Sequence, residues 1–497
     1  MTKKVRIGCA SAFYGDSQIA ARQLVDRGDI DYLVFDYLAE ATMAILARAK
    51  MKSPQLGYAV DFVSVAMRDV LGDCAKQGIK VVANAGGVNV PACIEAIQQL
   101  CVELQLDLTV GGVYGDDLSD IAGQLRAEGL TEAQSGQPLP EKLASINAYL
   151  GAAPVAAALA EGADIVVTGR VVDSAVVLGP LMYEFNWQRD AYNELAQGSL
   201  AGHIIECGAQ CTGGNYTDWH EVSDFADISY PIAEVSEDGS FVIDIPNDSG
   251  GLATVGSVGE QLLYEIGDPA NYLLPDVACD FSHVKIEQID KDRVGLSGAL
   301  GRAPGNQYKV CATWVDGYRL MNSFFMAGPR AADKARTALD AWIKRTRQVF
   351  AERGWDDYRR VSIEIAGAED TYGPHSQGQH SREVMGKYGV HHDNKDALVF
   401  ASMEMAYLAT SGPPAMTGFG AGRVRPQPLM RVYSSLVDKS RVPVKVQVGS
   451  KLVVDETYTN QGSAVKPSID FSADRQIDQV DAKNLIEVPL ARLVYGR

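Results

Sequence analysis

The sequence predicts an α/β protein with a mostly parallel, Rossmann-like sheet in the N-terminal half and a second, α+β domain after it. Two observations lead to this fold class. Over the first 180 residues, short apolar runs alternate with segments of helical periodicity. From about residue 225 the pattern changes to short strands with alternating apolar and polar residues. The first pattern is typical of parallel strands joined by helices, and the second of antiparallel strands.

The N-terminal strands are predicted from continuous apolar runs, which indicate strands covered on both faces. They are "KVRIGCA" (4–10), "DYLVFDY" (31–37), "IKVVANA" (79–85), "LDLTVGGV" (106–113) and "DIVVTG" (164–169). The segments between them include the predicted helices "DFVSVAMRDVLGDCAKQG", "PACIEAIQQLCVELQ" and "LASINAYLGAAPVAAALAEGA". Pro91 suits the first turn of the second helix, because a helix needs no N–H donor there.

The later half predicts a hairpin around Asp238-Gly239, a dipeptide that favours a tight turn between strands. Further predicted strands are "HVKIEQI", "RVGLSGAL", "YKVCATWV", "RLMNSFFMAG", "RRVSIEIAG", "RVYSSLV" and "VPVKVQV". Two helices are predicted at 330–354 and 396–410, and a strand with loops in the last 40 residues. The predicted domains are therefore residues 1–200 (parallel α/β), 201–450 (α+β, mostly antiparallel) and 451–497 (a C-terminal tail).

Composition restricts the function classes. The chain has 497 residues, 46% apolar and 22% charged, the balance of a globular protein. Its net charge of −18 argues against nucleic acid as a partner, because a phosphate backbone needs Lys and Arg to neutralise it. The sequence shows no signal peptide and no apolar run long enough to cross a membrane. A cytoplasmic protein acting on a small molecule is expected.

Polar residues follow each predicted parallel strand at its carboxyl end, where open sheets bind ligands. In strand order they are Ser11, Tyr14, Asp16 and Ser17; Asp36 and Glu40; Asn84, Gly86, Gly87 and Asn89; Tyr114, Asp116 and Asp117; and Thr168, Arg170, Asp173 and Ser174. Each turn also has a structural interpretation: "ANAGGVN" as a tight turn capped by Asn89, "GDD" as a helix start, and "TGRVVDS" as a loop held by an Arg–Asp ion pair. Together they predict one functional rim.

These residue types suit carbonyl chemistry. Glu40, Asp116 or Asp117 would act as general base or acid, Arg170 would hold a substrate carboxylate, and the Gly86 and Gly87 amides would stabilise an enolate or oxyanion. The predicted catalytic residues are Glu40, Asp116, Asp117, Arg170 and Asp173. The predicted substrate-binding residues are Ser11, Tyr14, Asp16, Asn84, Gly86, Gly87, Asn89, Ser174 and Arg423, the last from the glycine-rich "TGFGAGRVR".

The cofactor is not identified by the sequence. Asp116 and Asp117 together offer an alternative Mg²⁺ site, which is the less favoured interpretation, and no metal is predicted. No Walker A sequence and no G-x-G-x-x-G at a strand–helix turn occurs. The histidine pairs His375/His380 and His391/His392 are interpreted as polar loop residues.

Several segments resemble the acyclic terpene utilisation (AtuA) family. They are "GDIDYLVFDYLAEATMAILARAK", "KVVANAGGVN", "YGDDL", "VTGRVVDSAVVLGPL", "TGGN", "SGGLATVGSVGEQLLYEIGDPANYLLPDV" and "TGFGAGR", in consistent order from about residue 4 to 437. The resemblance implies a role in the breakdown of branched acyclic terpenoids, in gene clusters that also encode acyl-CoA carboxylases and hydratases. It assigns no catalytic residue.

The rim and the resemblance together predict a hydratase, dehydratase or related lyase acting on an acyl-CoA or hydroxy acid, with CoA as part of the substrate. The alternatives are a non-catalytic scaffold subunit that binds acyl-CoA, and a ligase or transferase using Mg²⁺-nucleotide, which the missing phosphate loop disfavours. Many relatives of this family continue into a small C-terminal domain of about a hundred residues. We therefore expect a homo-oligomer, a separate small subunit as a partner, or both.

Overall fold

A computed structural model describes residues 3–458. The strands are β1 Lys4–Cys9, β2 Tyr32–Phe35, β3 Lys80–Ala83, β4 Val110–Tyr114, β5 Ser145–Ala148, β6 Ile165–Thr168, β7 Ile232–Ser236, β8 Phe241–Asp244, β9 Tyr272–Leu273, β10 Ala278–Asp280, β11 Lys285–Asp290, β12 Arg293–Ser297, β13 Leu300–Arg302, β14 Gln307–Ala327, β15 Arg360–Ala366, β16 Glu383–His392, β17 Met416–Phe419, β18 Gln427–Asp438, β19 Pro443–Val448 and β20 Lys451–Thr457.

The α-helices alternate with the early strands and are sparser later. They are α1 Ala20–Arg27, α2 Glu40–Lys52, α3 Arg68–Gln77, α4 Val90–Glu103, α5 Ala122–Ala127, α6 Ala153–Ala160, α7 Ala175–Phe185, α8 Tyr192–Ile205, α9 Val255–Leu263, α10 Ala331–Glu352, α11 Lys395–Glu404 and α12 Leu408–Ser411. A π-helical segment, Phe62–Met67, leads directly into α3. No helix within residues 3–458 offers an apolar stretch long enough to span a bilayer.

The largest sheet of the described residues is mixed, with 11 strands in the order β11-β12-β8-β7-β1-β2-β3-β6-β4-β19-β20. Only the central strands β1, β2, β3, β6 and β4 are parallel to one another. Antiparallel strands extend both sides, through β7 beside β1 and β19 beside β4. The α/β class and the parallel strands are confirmed, but the sheet as a whole is mixed, so the prediction of a mostly parallel, Rossmann-like sheet is confirmed only in part. The Rossmann order places the first strand inside the parallel set, whereas β1 lies at its end.

The antiparallel additions explain this difference. Strands from all three predicted domain ranges lie in the large sheet, which therefore runs across the boundaries predicted at residues 200 and 450. Apolar periodicity shows that a segment is a buried strand, but it does not show which sheet edge the strand joins. The predicted hairpin at Asp238-Gly239 is confirmed, since β7 and β8 pair on either side of it.

A second sheet, of six strands, is built around β14, which pairs with β5, β16, β17 and β18 along its 21 residues. The sequence predicted two strands here and placed residues 145–148 in a helix; both predictions are wrong. Residues 145–148 form β5, which pairs with the first half of β14, and the helix begins only at Ala153. Residues 459–497, where a strand and loops were predicted, lie outside the described residues.

Two apolar clusters cover the faces of the large sheet, and a third fills the space between the six-stranded sheet and α10 with α11. The central strands are buried on both faces, as in "IVVT" of β6. Their carboxyl ends therefore open into turns that lie side by side. The turn after β3 touches the turn after β6, where the Gly86 N–H donates to the Thr168 carbonyl at 2.9 Å.

Candidate functional site

Three carboxylates meet at the carboxyl edge of the parallel strands. Asp36 follows β2, Asp173 lies in the turn between β6 and α7, and Glu206 follows α8. One oxygen from each lies within 4.8 Å of the other two. Asp36 and Glu206 are each 5% exposed, whereas the Asp173 side chain is 34% exposed. The cluster, which we name the acidic cluster, therefore reaches solvent through Asp173.

Arg170 supplies the cation beside the acidic cluster. Its side chain is 2% exposed, and its Nη1 donates to Asp173 Oδ1 at 2.6 Å and to the Val171 carbonyl at 3.0 Å. The guanidinium lies 3.8 Å from the centroid of the Tyr149 ring, and its Nε has no hydrogen-bond partner. Burial acts to lower the pKa of Arg170, but Asp173 and Tyr149 raise it well above its ordinary value. Arg170 is thus a fixed cation that offsets the acids. Asp173 occupies its Nη1, and the predicted role of Arg170 in holding a substrate carboxylate remains a prediction.

Asn84 and Ser11 fix the position of Asp36. The Asn84 Nδ2 donates to Asp36 Oδ1, and its own Oδ1 accepts from the Tyr37 N–H at 2.7 Å. The Ser11 hydroxyl donates to the Asp36 carbonyl at 3.1 Å. Asn84 is fully buried and Ser11 is 2% exposed. Two of the predicted binding residues therefore hold a carboxyl group of the acidic cluster in place.

Asp36 and Glu206 favour their protonated forms. Burial raises the pKa of Asp36 well above its ordinary value, and the charges of Asp173 and Glu206 raise it further. Burial likewise raises the pKa of Glu206, with added repulsion from Asp173 and Glu265. Like charges this close in a low-dielectric setting do not all ionise. The raised pKa values thus favour protons on these two carboxyls, which lie next to the partly exposed Asp173.

His203 contacts Glu206 from one turn earlier on α8. Its Nδ1 lies 3.2 Å from Glu206 Oε1, and its Nε2 lies 3.1 Å from the Gln261 carbonyl. Burial lowers the pKa of His203, so the ring is neutral and has one N–H. A carbonyl only accepts, so that N–H lies on Nε2 and Nδ1 is left as an acceptor. Glu206 in its protonated form then donates to Nδ1, which agrees with its raised pKa.

Glu40 behaves in the opposite way. Its Oε1 accepts from the Tyr149 hydroxyl and from Lys309 Nζ, each at 2.6 Å. Burial acts to raise the pKa of Glu40, but Lys309 and Tyr149 outweigh it and lower the pKa to about 2. The Lys309 ammonium also lies 4.7 Å from the Tyr149 ring centroid. Glu40 is therefore ionised. Tyr149 lies between Glu40 and Arg170, because its hydroxyl donates to Glu40 and its ring packs against the Arg170 guanidinium.

Asp116 and Asp117 do not share a partner. Asp116 is 4% exposed, and its Oδ2 accepts from the Arg170 N–H at 2.9 Å and from Asn147 Nδ2 at 2.8 Å. Burial raises its pKa to about 6, although those two hydrogen bonds act to lower it. Asp117 is exposed and accepts from the Ser119 N–H at 2.9 Å. The two carboxylates are directed to different partners, Asp116 to the buried Asn147 and the Arg170 N–H and Asp117 to the exposed Ser119, which does not favour the alternative of a magnesium site on this pair.

The glycine turn "ANAGGVN" holds the loop together. The Gly86 N–H donates to the Thr168 carbonyl at 2.9 Å, and the Gly87 N–H donates to the Asn84 carbonyl at 3.4 Å. Gly87 has a φ of 54°, a conformation that favours glycine. The predicted use of these two amides as donors to an oxyanion is wrong for this conformation, since both N–H groups already have acceptors.

Three of the remaining predicted binding residues, Tyr14, Asp16 and Ser174, lie in the turns that follow β1 and β6. Tyr14 and Asp16 are half-buried in the turn after β1, where Asp16 Oδ2 accepts from the Ala12 N–H at 2.9 Å. Ser174 is 4% exposed at the start of α7. Asn89 does not cap α4 with its side chain.

Asn89 and Arg423 have structural surroundings distant from the three acids. The Asn89 Nδ2 donates to the carbonyls of Pro54 and Leu56, at 2.9 and 2.8 Å, and so fixes the end of the loop before the π-helical segment. Arg423 is exposed, in a loop whose carbonyls at positions 421 and 422 accept from Asn322 of the six-stranded sheet. No hydrogen bond or ion pair found within residues 3–458 joins Arg423 to the acidic cluster.

The oxygens of the acidic cluster are close enough for one cation to contact all three, because hard divalent cations accept several carboxylate oxygens. Protons and the Arg170 guanidinium provide another way to balance the same charges. The prediction that no metal is bound remains a prediction.

Sequence reasoning missed Glu206, His203, Tyr149 and Lys309. "HIIE" places a histidine and a glutamate three apart at the end of the apolar helix α8, and two polar residues on a buried helix are a usable signal. Tyr149 follows β5, which the sequence had assigned to a helix. Lys309 lies on β14, far along the chain, and no local pattern indicates that it reaches Glu40.

The fold and this site define a mixed α/β protein with a buried acid-rich site at the edge of its parallel strands. A sequence model of the "Acyclic terpene utilisation family protein AtuA" matches residues 5–448. The chain therefore belongs to the AtuA family, as the motifs predicted, and the family indicates a role in acyclic terpene utilisation. Comparisons with curated proteins and with solved structures gave no significant match.

Proposed function

We propose that this protein is an enzyme of branched acyclic terpenoid or related carboxylic-acid breakdown, and that it adds or removes water on an acyl-CoA or hydroxy acid. The supporting observation is the acidic cluster: two buried carboxyls with raised pKa values lie beside a partly exposed aspartate. Pairs of carboxyl groups whose surroundings separate their pKa values are the usual means of combining a general acid with a general base.

In the dehydration direction, Asp173 takes the proton from the carbon next to the carbonyl, and the electrons of that C–H bond form the C=C bond. A proton held by the Asp36 and Glu206 carboxyls passes to the departing hydroxyl, so that the C–O bond breaks and water leaves. Hydration is the reverse. Asp173 is assigned as the base because its side chain is the exposed member of the acidic cluster.

Arg170 and Lys309 provide positive charge around this chemistry. Arg170 donates to Asp173 at 2.6 Å and so holds its side chain in place. Lys309 is 47% exposed beside Glu40, where it is accessible to an anionic substrate group, such as a carboxylate or a CoA phosphate. CoA as part of the substrate is thus compatible with the charge at the mouth of the site.

The test is hydration by the purified full-length chain in H₂¹⁸O, with a panel of branched unsaturated acyl-CoA thioesters and the corresponding free acids. Mass spectrometry of the products measures incorporation of ¹⁸O. We expect incorporation by the wild type, and loss of it in Asp173→Asn and Glu206→Gln. Saturable binding of an acyl-CoA without any turnover, unaffected by these substitutions, would favour the scaffold alternative instead.

We also propose that the protein associates through the outer face of the six-stranded sheet, with a second copy or with a small separate subunit. Met321 and Phe325 on β14 are 48% and 43% exposed on this face, and Met385 of β16 pairs with Phe325. Contiguous exposed apolar side chains are uncommon on isolated proteins. Light scattering of the wild type and of Phe325→Glu tests this: a purely monomeric wild type that co-purifies with no small protein would exclude both forms.

A further inference from the structure

A partly enclosed cavity is lined in part by the start of α6, at Gly151, Ala153 and Pro154. Its volume is about 40 Å³, and its polar lining residues are Arg189, Asp276, Tyr308, Lys439 and Tyr458. A water molecule needs roughly 10–15 Å³ measured this way, so the cavity has room for about three waters or for the head of one small polar ligand. Buried donors that face such a cavity need acceptors, which water or a ligand can supply.

Lys439 is the main donor in this cavity. Its side chain is 1% exposed, and its Nζ donates to the Pro275 carbonyl at 2.6 Å. An ammonium has three N–H donors, and Pro275 provides the only acceptor found for it within residues 3–458. The Tyr308 ring lies 5.3 Å from Nζ and offers a face rather than a lone pair. Burial lowers the pKa of Lys439 to about 8, while Asp276 acts to raise it.

Asp276 does not fill the need for acceptors. Its two oxygens accept from the backbone at the start of α6, from the Ala152 N–H at 2.8 Å and the Ala153 N–H at 3.4 Å. Gly151 makes this possible, because a Cβ at that position would overlap the Asp276 carboxylate. The negative charge of Asp276 is therefore directed toward the helix, and the lysine retains unused donors.

The Tyr458 hydroxyl is a second unused donor in the cavity lining. This hydroxyl is buried and donates to no acceptor among residues 3–458, and burial raises its pKa to about 12, so the proton stays on. The Arg189 guanidinium lies 4.2 Å from the Tyr458 ring centroid and is paired with Glu456 at 3.0 Å. The lining of the cavity thus includes unused donors on Lys439 and Tyr458, with the Arg189 cation beside Tyr458.

We propose that this cavity is a binding site for a small oxyanion, a carboxylate or a phosphate group, which accepts hydrogen bonds from Lys439 and Tyr458. Such a group supplies several acceptor oxygens and a negative charge, which are what the two donors lack. The site is separate from the acidic cluster, and it does not depend on the proposed water chemistry.

The same short segment connects the two sites. The Leu150 N–H donates to the Arg170 carbonyl at 3.1 Å, and two residues later the Ala152 N–H donates to Asp276. Lys439 in turn donates to Pro275, the residue before Asp276. We therefore expect an anion bound to Lys439 to stabilise the backbone that positions Tyr149 against Arg170. Slower amide hydrogen exchange in residues 150–153 is the expected signature.

The experiment titrates the full-length protein with sodium phosphate and, separately, with sodium acetate, at constant ionic strength set with chloride. Thermal shift and calorimetry measure the affinity. We expect saturable binding of one of the two, weakened at least tenfold in Lys439→Met and severalfold in Tyr458→Phe. Lys445→Met, a lysine on β19 that is half-exposed, is the matched control and should bind like the wild type.

The two anions distinguish a carboxylate site from a phosphate site. Absence of saturable binding for both would overturn the proposal, and so would unchanged affinity in both variants, since the cavity would then hold only water. If Lys439→Met does not fold, Tyr458→Phe decides the question, because it removes one hydroxyl and retains the ring that packs against Arg189.

Discussion

Buried polar groups have different partners in the parallel centre of the large sheet and in the region of the six-stranded sheet around β14. In the former, Asp36, Arg170 and Glu206 are charged or titratable groups crowded together at 5% exposure or less. On α10, which packs against the latter, a buried hydroxyl is paired locally: the Thr346 hydroxyl donates to the Trp342 carbonyl at 2.9 Å and accepts from Tyr358 at 2.8 Å. Uncompensated burial is costly, so it persists where function requires it.

The contrast extends to the histidines of the two regions. His391 and His392, predicted as polar loop residues, are buried at the end of β16, and each places its Nε2 against one backbone carbonyl. His203, by contrast, is placed against the titratable Glu206. For these histidines, the one whose partner is itself titratable is the one that lies at the candidate site.

The largest effect is expected for Asp173→Asn. If the acidic cluster is catalytic, removing its exposed base lowers kcat by about 10²- to 10⁴-fold, while the fold is retained. Asp316→Asn is the matched control in the six-stranded sheet, because Asp316 is also an aspartate paired with arginines, at 2.6 Å to Arg359 and 3.0 Å to Arg431. Steady-state kinetics measure both, and a similar loss in the two variants would remove the distinction between the regions.

Trp342→Ala should affect stability rather than chemistry. Trp342 is fully buried, donates from Nε1 to the Ala401 carbonyl at 3.0 Å, and packs on Tyr388 with ring centroids 4.7 Å apart. Loss of this side chain should lower the free energy of unfolding by about 3–5 kcal/mol. Urea unfolding checks this value, with Trp342→Phe expected to lose less. An unaltered midpoint in the alanine variant contradicts the packing described here.

Asp116 should make stability depend on pH. Its pKa is raised from 3.8 to about 6 by burial, so the folded protein binds a proton that the unfolded chain has lost between these values. Its stabilising contribution is therefore fully present below about pH 4 and disappears as the pH rises through 6, a change on the order of 2–3 kcal/mol.

The measurement is urea unfolding at intervals from pH 4 to 7 for the wild type, Asp116→Asn and Asp117→Asn. The difference between the wild type and Asp116→Asn should decrease across this range, as the proton on Asp116 is lost. Asp117→Asn should follow the wild type, because its side chain is exposed. Parallel curves for the wild type and Asp116→Asn would show that the buried carboxyl does not titrate there.

A smaller difference in stability is expected between alanine substitutions at two glycines, Gly169 and Gly389. At Gly169, a Cβ would overlap the Asp116 carboxylate, so Gly169→Ala should cost about 1–3 kcal/mol by displacing it from the Arg170 N–H. At Gly389 of β16, a Cβ would meet only Met321 Cγ at 3.5 Å, an ordinary contact. Gly389→Ala should therefore change stability by less than about 0.5 kcal/mol. Equal costs in thermal unfolding would mean that the approach of Asp116 needs no glycine.

The sequence alone was enough to predict the five parallel strands, the hairpin at Asp238-Gly239 and the family, because each depends on a local run of residues. It also predicted that the turns at 84–89 and 114–117 reach the same edge of the sheet, since parallel strands place their carboxyl ends together. The long helix α10 was predicted within two residues at each end, from its amphipathic pattern and the glycine that follows it.

Only the tertiary structure decided which polar residues at that edge meet. Asp36 was one of many rim residues, but burial and the approach of Glu206 from α8 made it part of the acidic cluster, whereas Asp117 turned to solvent. The sheet edges joined by β7 and β19, and the contact of Lys309 with Glu40, link residues more than 200 positions apart. Local periodicity records which face of an element is apolar, but the pKa of a carboxyl depends on charges and solvent exclusion that distant segments bring to it.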